Sequence, residues 1–260
     1  MKTKKTGLLL LLLPFLAFQA YSQRTKTINH QSMKKILIVV SSFGEVKSTG
    51  HKTGTWIEEF ATPYYLFTDK GFQVTIASPA GGKAPIDPKS TAPDYSTESV
   101  KRFLKDPAAQ ERLNHTVLLK DVQAADYDAV FYPGGHGPMW DLADNAKSAQ
   151  LIETFYAAGK PVALVCHAPA ALKNVKDKTG APLVKGKKIS AFTNSEEVAG
   201  QTTAEVPFSL EDMLKERGAN YVKGADWQPF AVADGNLITG QNPASAQLTG
   251  EKVIAALGVK

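Results

Sequence analysis

Cys166 is the residue whose type and position point most directly to chemistry. It is the only cysteine among 260 residues, and His167 follows it at once. An apolar run at 162–165 precedes the pair and small residues follow it, a pattern typical of a buried strand that turns sharply into a helix. Such a turn presents a nucleophile, and the start of the helix favours a thiolate and so lowers the cysteine pKa. The alternative is that Cys166 fills the core, as free cysteines commonly do.

A second group of candidates is Gly134, Gly135 and His136, which follow the apolar run 129–132. Paired glycines after a strand let backbone amides approach a ligand, as an oxyanion hole requires. The same glycines also fit an ordinary turn between a strand and a helix, and a lone histidine is more often structural or solvated than catalytic. Ligands of open α/β sheets bind at the carboxyl ends of the strands, so this segment and Cys166 both lie where a site is expected.

Two adjacent glutamates differ in their predicted surroundings. At about 100° per residue on a helix, the aromatic side chains at positions 56, 60, 64 and 67 form one stripe. Glu58 falls opposite the stripe and is predicted to face solvent. Glu59 falls on its flank and is a candidate buried carboxylate, whose pKa burial would raise. The pattern leaves open the alternative that Glu59 reaches solvent from the rim of the stripe.

The elements that must position these residues alternate between apolar strands and amphipathic helices. Continuous apolar runs such as 36–41 are expected of strands buried on both faces of a parallel sheet. The alternation, without repeats or an internal boundary, predicts an α/β fold: one three-layer α/β/α domain with a mainly parallel sheet. Strands are predicted at 36–41, 73–77, 117–119, 129–132, 162–165, 189–192, 230–233 and 237–239, and helices at 55–69 (kinked or restarted at Pro63), 96–104, 140–158, 209–217 and after the N-cap Asn242.

The first 22 residues differ from the rest of the chain. Three lysines precede an apolar run at 8–18, and small residues then precede Gln23, which together predict a secretory signal peptide at 1–22. An uncleaved anchor is the alternative. Residues 23–33 are predicted to be a linker, in which Met33 could itself be a start, and 34–260 the folded domain. The leader predicts an exported protein, periplasmic or extracellular, with no membrane attachment after cleavage.

Composition excludes several functional classes. Apolar residues make up 43% of the chain, which is too many for a disordered protein, and one cysteine allows neither an intramolecular disulfide nor an all-cysteine metal site. Removal of the three leader lysines lowers the net charge from +5 to +2, and no basic stripe interleaved with aromatics remains, so no nucleic-acid partner is expected. No P-loop, dinucleotide fingerprint or metal cluster is found, so no cofactor and no metal are predicted.

At these motifs the chain resembles the ThiJ/PfpI superfamily, relatives of class I glutamine amidotransferases, and within it the heat-inducible, chaperone-like glyoxalases of the stress response. The similarity runs from about residue 34 to the C-terminus. The resemblance implies a flavodoxin-like fold with a nucleophile elbow, no cofactor, and a homodimer. It rests on KTG at 52–54 leading to Glu59, YPGGHGPMWDL at 132–142, ALVCHAPAAL at 163–172, AFT at 191–193 and TGQNPAS at 239–245.

The resemblance also implies a role for each candidate residue. Cys166 becomes the nucleophile and His167 its base partner. Glu197 becomes the carboxylate that orients the histidine, although Glu196 stands beside it and spacing alone barely separates the two. Glu59 becomes the carboxylic acid that touches the thiol.

The activity implied by the resemblance is that of a glutathione-independent glyoxalase, which converts methylglyoxal to lactate through a hemithioacetal, an enediol and a thioester on Cys166, with either Glu59 or His167 as the base that moves the proton. The Gly135 amide and a backbone N–H at the elbow would form the oxyanion hole, and His136 would line the pocket of a small aldehyde or glycated substrate. A thiol hydrolase (amidase, peptidase or deglycase) using the same residues is the alternative, and a holding chaperone is a third hypothesis. An acyl-enzyme on Cys166 with inertness to 2-oxoaldehydes would favour the hydrolase, whereas aggregation suppression that survives Cys166→Ala would favour the chaperone.

Overall fold

The strands at the centre of the molecule are apolar throughout because both of their faces are covered. Every residue of Ala129–Tyr132 and Val162–Val165 is buried, as are four of the five in Lys35–Val39. This is the composition expected in the interior of a parallel sheet. The three runs were the clearest strand signals in the sequence, and all three are strands.

The structure, a computed structural model, describes residues 33–259. The predicted signal peptide at 1–22 and all but the last residue of the predicted linker lie outside the described residues. From Met33 onward the chain packs as one unit. Within residues 33–259, no helix combines the length and the apolar character needed to cross a bilayer.

The described residues form eleven strands: β1 (Lys35–Val39), β2 (Glu45–Val46), β3 (His51–Lys52), β4 (Gln73–Ser78), β5 (Val117–Leu118), β6 (Ala129–Tyr132), β7 (Val162–Val165), β8 (Lys188–Ile189), β9 (Asn220–Tyr221), β10 (Ala231–Asp234) and β11 (Leu237–Gly240). Seven of them form the main sheet, in the order β10-β11-β7-β6-β1-β4-β5, and β2–β3 and β8–β9 form two small sheets. Neighbours in the main sheet run parallel, except that β10 and β11 form an antiparallel hairpin. A mainly parallel sheet is thus confirmed.

The helices of the described residues are α1 (Ile57–Asp69), α2 (Glu98–Leu104), α3 (Pro107–Asn114), α4 (Pro138–Asp141), α5 (Ala146–Ala157), α6 (Asn194–Ala199), α7 (Leu210–Glu216) and α8 (Ala246–Ala256). Short 3₁₀ helices connect several of them. Most of the predicted helices are present, with ends that shift by one or two residues.

Helices cover both faces of the main sheet. On β6, Phe131 meets Phe67 of α1 edge-on, with ring centroids 5.9 Å apart, whereas the hydroxyl of Tyr132 accepts a 3.2 Å hydrogen bond from Ser148 of α5. Successive strand residues point to opposite faces, so α1 and α5 lie on opposite sides of the sheet. α8 packs on α1 at Gly250, where a Cβ would lie 2.9 Å from a side-chain carbon of α1. The predicted three-layer α/β/α arrangement is confirmed.

Several helix predictions are wrong for local reasons. The predicted helix 140–158 is two helices, because the Asn145 side chain accepts a hydrogen bond from the Ser148 amide and starts α5. α1 is not restarted at Pro63 but continues through it. α3 was not predicted, although Asp106 caps it and Pro107 occupies its first position, both ordinary signals of a helix start.

Other predictions near the site also need correction. The predicted strand 189–192 ends at Ile189, since the chain then turns so that the Phe192 amide donates to the Cys166 carbonyl. Asn242 caps a 3₁₀ turn at Pro243–Ser245, and the last helix begins only after it. Glu58, predicted to face solvent, is half-buried, and one of its oxygens accepts a 3.0 Å hydrogen bond from the Thr62 hydroxyl.

Candidate functional site

The candidate residues meet at one edge of the main sheet. Residues 134–136 follow β6, Cys166 follows β7, and Asn242 comes shortly after β11. Because these three strands are parallel neighbours, the loops after them emerge side by side. α1 brings Glu59, and α6 brings Glu197, into hydrogen-bonding contact with these loops.

Cys166 occupies a strained turn. Its φ is 62°, in the left-handed region, which costs a residue with a Cβ about 1–2 kcal/mol. Two backbone hydrogen bonds hold it there: the Cys166 amide donates to the Gly240 carbonyl (3.0 Å), and the Phe192 amide donates to the Cys166 carbonyl (2.9 Å). The sharp turn expected after the buried strand is therefore present, and both neighbouring segments support it.

The surroundings of the Cys166 thiol raise its pKa, contrary to the prediction from sequence. Burial is the main cause and the Glu59 carboxyl adds to it, whereas a hydrogen bond from the Gly135 amide acts in the opposite direction. An α-helix after the turn would favour the thiolate through its dipole and free amides, but the structure has only a short 3₁₀ helix there, Ala168–Leu172. The resting thiol is therefore protonated and needs a neighbour that removes its proton.

His167 connects that thiol to a buried carboxylate. Its Nδ1 lies 3.2 Å from Cys166 Sγ, and its Nε2 lies 2.8 Å from Glu197 Oε2. The other oxygen of Glu197 is 3.2 Å from His136 Nε2 and accepts a hydrogen bond from the Thr202 hydroxyl. Burial opposes it, but the two histidines hold the pKa of Glu197 well below its ordinary value. Glu197 is thus a carboxylate that can stabilise the positive charge formed when His167 accepts the thiol proton.

Glu196, which spacing could not separate from Glu197, makes structural contacts instead. Its Oε2 accepts hydrogen bonds from the Thr193 amide and hydroxyl and completes a capping box at the start of α6. Its Oε1 accepts hydrogen bonds from the Trp227 amide and from two side-chain amides that follow β11. The structure therefore brings Glu197, and not Glu196, to the histidine.

We expect substitution of the two glutamates to separate activity from stability. Glu197→Gln removes the charge that holds His167, and should lower kcat/KM about 100-fold or more. Glu196→Gln places an NH2 group against donors in the capping box and should lower Tm by several degrees, at a cost of about 1–3 kcal/mol, with kcat/KM within about threefold of the parent. Steady-state kinetics and thermal unfolding of both variants test this. A large loss of activity in Glu196→Gln, with activity largely kept in Glu197→Gln, would contradict the role given to Glu197.

Glu59 is fully buried beside the thiol. Its Oε2 accepts a 2.7 Å hydrogen bond from the Gly134 amide. Its Oε1 forms no hydrogen bond with any of the described residues, and the Cys166 thiol is near enough to lower the pKa of this carboxyl. Burial raises the pKa of Glu59 to about 8, although its contacts with Cys166 and Gly134 act to lower it. Near neutral pH this residue is mostly a carboxylic acid, able to donate its proton towards the sulfur.

The two glycines of the predicted oxyanion hole have different surroundings. The Gly134 amide is engaged by Glu59, and a Cβ at this position would lie 2.7 Å from both Glu59 Oε2 and the Val165 carbonyl. Gly134 therefore positions Glu59. Gly135 has a φ of 81° and lines the cavity, and its backbone amide is near enough to the Cys166 sulfur to lower the pKa of the thiol. Of the two, Gly135 is placed to donate to an oxyanion.

A cavity of about 410 Å³ is lined by Cys166, His167 and His136. Burial and the neighbouring His167 lower the pKa of His136, so this histidine is neutral near pH 7. Most of the other lining residues were not predicted to belong to the site, because they lie on separate segments that no local pattern connects. They include His51, Asp87, Tyr95, Gln201 and Trp227, and also Trp56, which was predicted only as part of the aromatic stripe of the first helix.

His136, His167 and Glu197 are also a set of donors that could hold a metal ion, since their ligand atoms all lie within 4.8 Å of one another. Two histidines and a carboxylate suit several transition metals. However, both oxygens of Glu197 already accept hydrogen bonds from the histidines or Thr202, so the group is satisfied as a hydrogen-bonded network.

Both the sequence and the fold match known proteins. Residues 53–256 match the DJ-1/PfpI family. Glyoxalase 3 of Candida albicans is 36% identical over 234 residues, which span 86% of this chain and 98% of that protein. The glutathione-independent glyoxalase HSP31 of Saccharomyces cerevisiae is 35% identical, again over 86% and 98% of the two chains. The crystal structure of glyoxalase III from Candida albicans aligns with a TM-score of 0.79 at 33% identity, covering 86% of this chain and 97% of that one.

Proposed function

Because the chain belongs to the DJ-1/PfpI family, as its motifs predict, we propose that it is a glutathione-independent glyoxalase that converts methylglyoxal to lactate on Cys166. Relatives named glyoxalase 3 and glutathione-independent glyoxalase match over nearly their whole length. The observation that carries the proposal is the buried Glu59 beside the thiol, separate from the chain of Cys166, His167 and Glu197. Hydrolysis can proceed with that chain alone, whereas Glu59 supplies a separate acid–base group suited to moving a proton between two carbons of the substrate.

The first step is addition of the thiol to the aldehyde. His167 Nδ1, 3.2 Å from the sulfur, takes the thiol proton, and Glu197 stabilises the imidazolium that results. The sulfur bonds to the aldehyde carbon, whose oxygen gains a proton to give a hemithioacetal. The Gly135 amide is placed to stabilise negative charge on that oxygen during addition.

The second step is the proton transfer for which Glu59 is suited. The Glu59 carboxylate removes the hydrogen of the former aldehyde carbon as a proton, and its acid form returns a proton to the neighbouring carbon through an enediol. Over the two transfers the keto oxygen gains the proton that the hydroxyl of the sulfur-bearing carbon loses, which leaves a thioester carbonyl on that carbon. The product is a thioester of lactate. A pKa of about 8 keeps both forms of Glu59 populated near neutral pH, as efficient acid–base catalysis requires.

The last step is hydrolysis of the thioester. Water attacks the thioester carbonyl with His167 as general base, and lactate leaves as the thiol is restored. Overall, methylglyoxal and one water give lactate, and no external reductant or oxidant is consumed. His136 lies beside His167, with ring centroids 4.1 Å apart, and is placed to contact the substrate from the cavity wall.

The thiol-hydrolase alternative rests on the aligned contacts of Cys166, His167 and Glu197, which would serve amide or ester hydrolysis equally well. The two activities differ in their dependence on Glu59. A hydrolase would retain most of its rate in Glu59→Gln, whereas a glyoxalase would not.

Product analysis tests the proposal directly. The mature protein, free of glutathione, is incubated with methylglyoxal, and lactate is followed by NMR beside reactions with an activated ester and a peptide amide. We expect one lactate for each methylglyoxal consumed, over many turnovers. Turnover of the ester or amide with no lactate formed would contradict the glyoxalase assignment and support the hydrolase.

Export of the protein from the cytoplasm and its assembly into a homodimer remain predictions. We propose that the protein acts outside the cytoplasm, on the basis of the leader predicted at 1–22. The homodimer is likewise proposed from the family resemblance alone.

A further inference from the structure

The cavity is larger than a three-carbon aldehyde requires. Its volume of about 410 Å³ falls in the range of roughly 300–1,000 Å³ typical of sites for drug-sized ligands. Four aromatic side chains line it, namely Trp56, Tyr95, Phe192 and Trp227. Methylglyoxal has only a methyl group to place against them, so most of this surface would make no contact with that substrate.

The aromatic side chains form two pairs within the cavity wall. Trp56 and Tyr95 meet edge-on with ring centroids 5.1 Å apart, and Phe192 and Trp227 do so at 5.6 Å. Phe192 also lies against His167, with centroids 4.3 Å apart, so its pair adjoins the reacting groups. A flat ring held near the thiol would find faces and edges of aromatic rings around it, the geometry that aromatic pairs prefer.

The outer members of the two pairs are unusually exposed for their type. Trp227 is 46% exposed and Tyr95 is 38% exposed, and they are the only aromatic side chains among the large apolar residues that are exposed in residues 33–259. Both line the cavity. Each of them therefore offers accessible aromatic surface to a ligand bound in the cavity.

Backbone strain is concentrated at the same cavity. Within the described residues, Cys166, Gln201 and Trp227 are the three non-glycine residues with positive φ, at 62°, 60° and 63°, and all three line it. The backbone of Trp227 is held in this conformation by a 2.8 Å hydrogen bond from its amide to Glu196 Oε1. Strain that the surrounding structure maintains is typical of functional positions, which indicates that the tryptophan is held for a ligand.

We propose that the preferred substrates are 2-oxoaldehydes whose keto carbon carries an aromatic or similarly flat apolar group, which the cavity binds through Trp227 and its aromatic neighbours. This inference rests on the proposed glyoxalase function and names its substrate class. With phenylglyoxal, the thiol adds to the aldehyde carbon, the proton moves through the enediol, and water hydrolyses the thioester to release mandelate. Phenylglyoxal and one water together contain all the atoms of the mandelic acid that is formed.

The test compares two substrates on matched variants. We expect kcat/KM for phenylglyoxal to exceed that for methylglyoxal about tenfold or more, because the aromatic substituent gains burial and ring contacts. Trp227→Ala should lower the phenylglyoxal value about tenfold and the methylglyoxal value less than twofold, and Trp227→Phe should restore most of the loss. Leu104→Ala, at a similarly exposed (48%) apolar residue outside the cavity, should change neither value.

The readout is mandelate or lactate formed, with Cys166→Ala as the blank, because phenylglyoxal also modifies arginine side chains. Equal kcat/KM for the two substrates in the parent, or parallel losses for both in Trp227→Ala, would overturn the inference while leaving the glyoxalase function intact. Failure to form either acid would instead overturn the proposed function itself.

Discussion

Cys166→Ala is expected to lower the rate of lactate formation from methylglyoxal at least about 1,000-fold. Every covalent step of the proposed reaction passes through the sulfur, and His167 and Glu59 have no other nucleophile to activate at this position. The loss should appear in kcat, because the substitution removes the bond-forming atom and not a binding contact. Lactate formation, measured by NMR with glutathione absent, checks this result.

The folded state should survive the same substitution. Alanine has a Cβ like cysteine, so the strain at a φ of 62° is unchanged, and the two backbone hydrogen bonds that hold the turn do not involve the side chain. Cys166→Ser is the matched control, since it keeps a small group with a proton but is a far weaker nucleophile. Lactate formation at the parental rate by folded Cys166→Ala protein would refute the proposed mechanism.

Glu59→Gln is expected to have opposite effects on activity and on stability. The amide cannot exchange a proton between the two substrate carbons, so turnover of methylglyoxal should fall about 10²–10⁴-fold. The same change removes a carboxyl group whose ionisation in the folded protein is unfavourable. Between pH 4.5 and pH 9 the stability of the variant relative to the parent should therefore rise by several kcal/mol.

The sign follows from the two pKa values. Unfolding lowers the pKa of Glu59 from about 8 to its ordinary value of 4.5. Between these pH values the folded state binds the proton more tightly, so the free energy of unfolding falls as pH rises. Over about 3.5 pH units, at 1.36 kcal/mol per unit, the loss amounts to about 5 kcal/mol, complete above pH 8 and absent below pH 4.5.

Urea unfolding of parent and variant from pH 4 to pH 9 measures this difference. Other titrating groups contribute equally to both proteins, so only the difference between the two curves is diagnostic. Glu58→Gln, at the half-buried neighbour on α1, is the matched control for loss of a glutamate side chain, and the pH-dependent gain in stability should be larger for Glu59→Gln than for this control. A pH-independent difference for Glu59→Gln would show that Glu59 is ionised in the folded protein.

Most of the fold could be predicted from the sequence, because its signals are local. The apolar runs at 129–132 and 162–165 are strands with the predicted bounds, since a strand covered on both faces must be apolar along its whole length. The predicted helix at 140–158 failed because one side-chain hydrogen bond at Asn145 outweighed an unbroken helical pattern. Such capping interactions involve about 1 kcal/mol, too little to show in a periodicity.

The candidate site was predicted only in part, because local sequence signals identify some of its residues and not others. Cys166 and His167 are adjacent, so their pairing could be inferred directly from the sequence. Glu196 and Glu197 look alike in the sequence, and only the direction in which α6 presents each side chain separates them. The four aromatic side chains that line the cavity, Trp227 among them, come from separate segments, and no sequence pattern connects them.

The sequence by itself thus determined which chemical groups are available: one thiol beside a histidine, a carboxyl on the flank of a helix, and glycines after a strand. Only the tertiary structure decided how those groups behave. It buries Cys166 and Glu59 together, which raises the pKa of each. Cys166 is therefore a protonated thiol at rest and not the thiolate that the turn alone predicted. The physical reason is that residue type and spacing are local, whereas burial and the distances between charges depend on segments far apart in the chain.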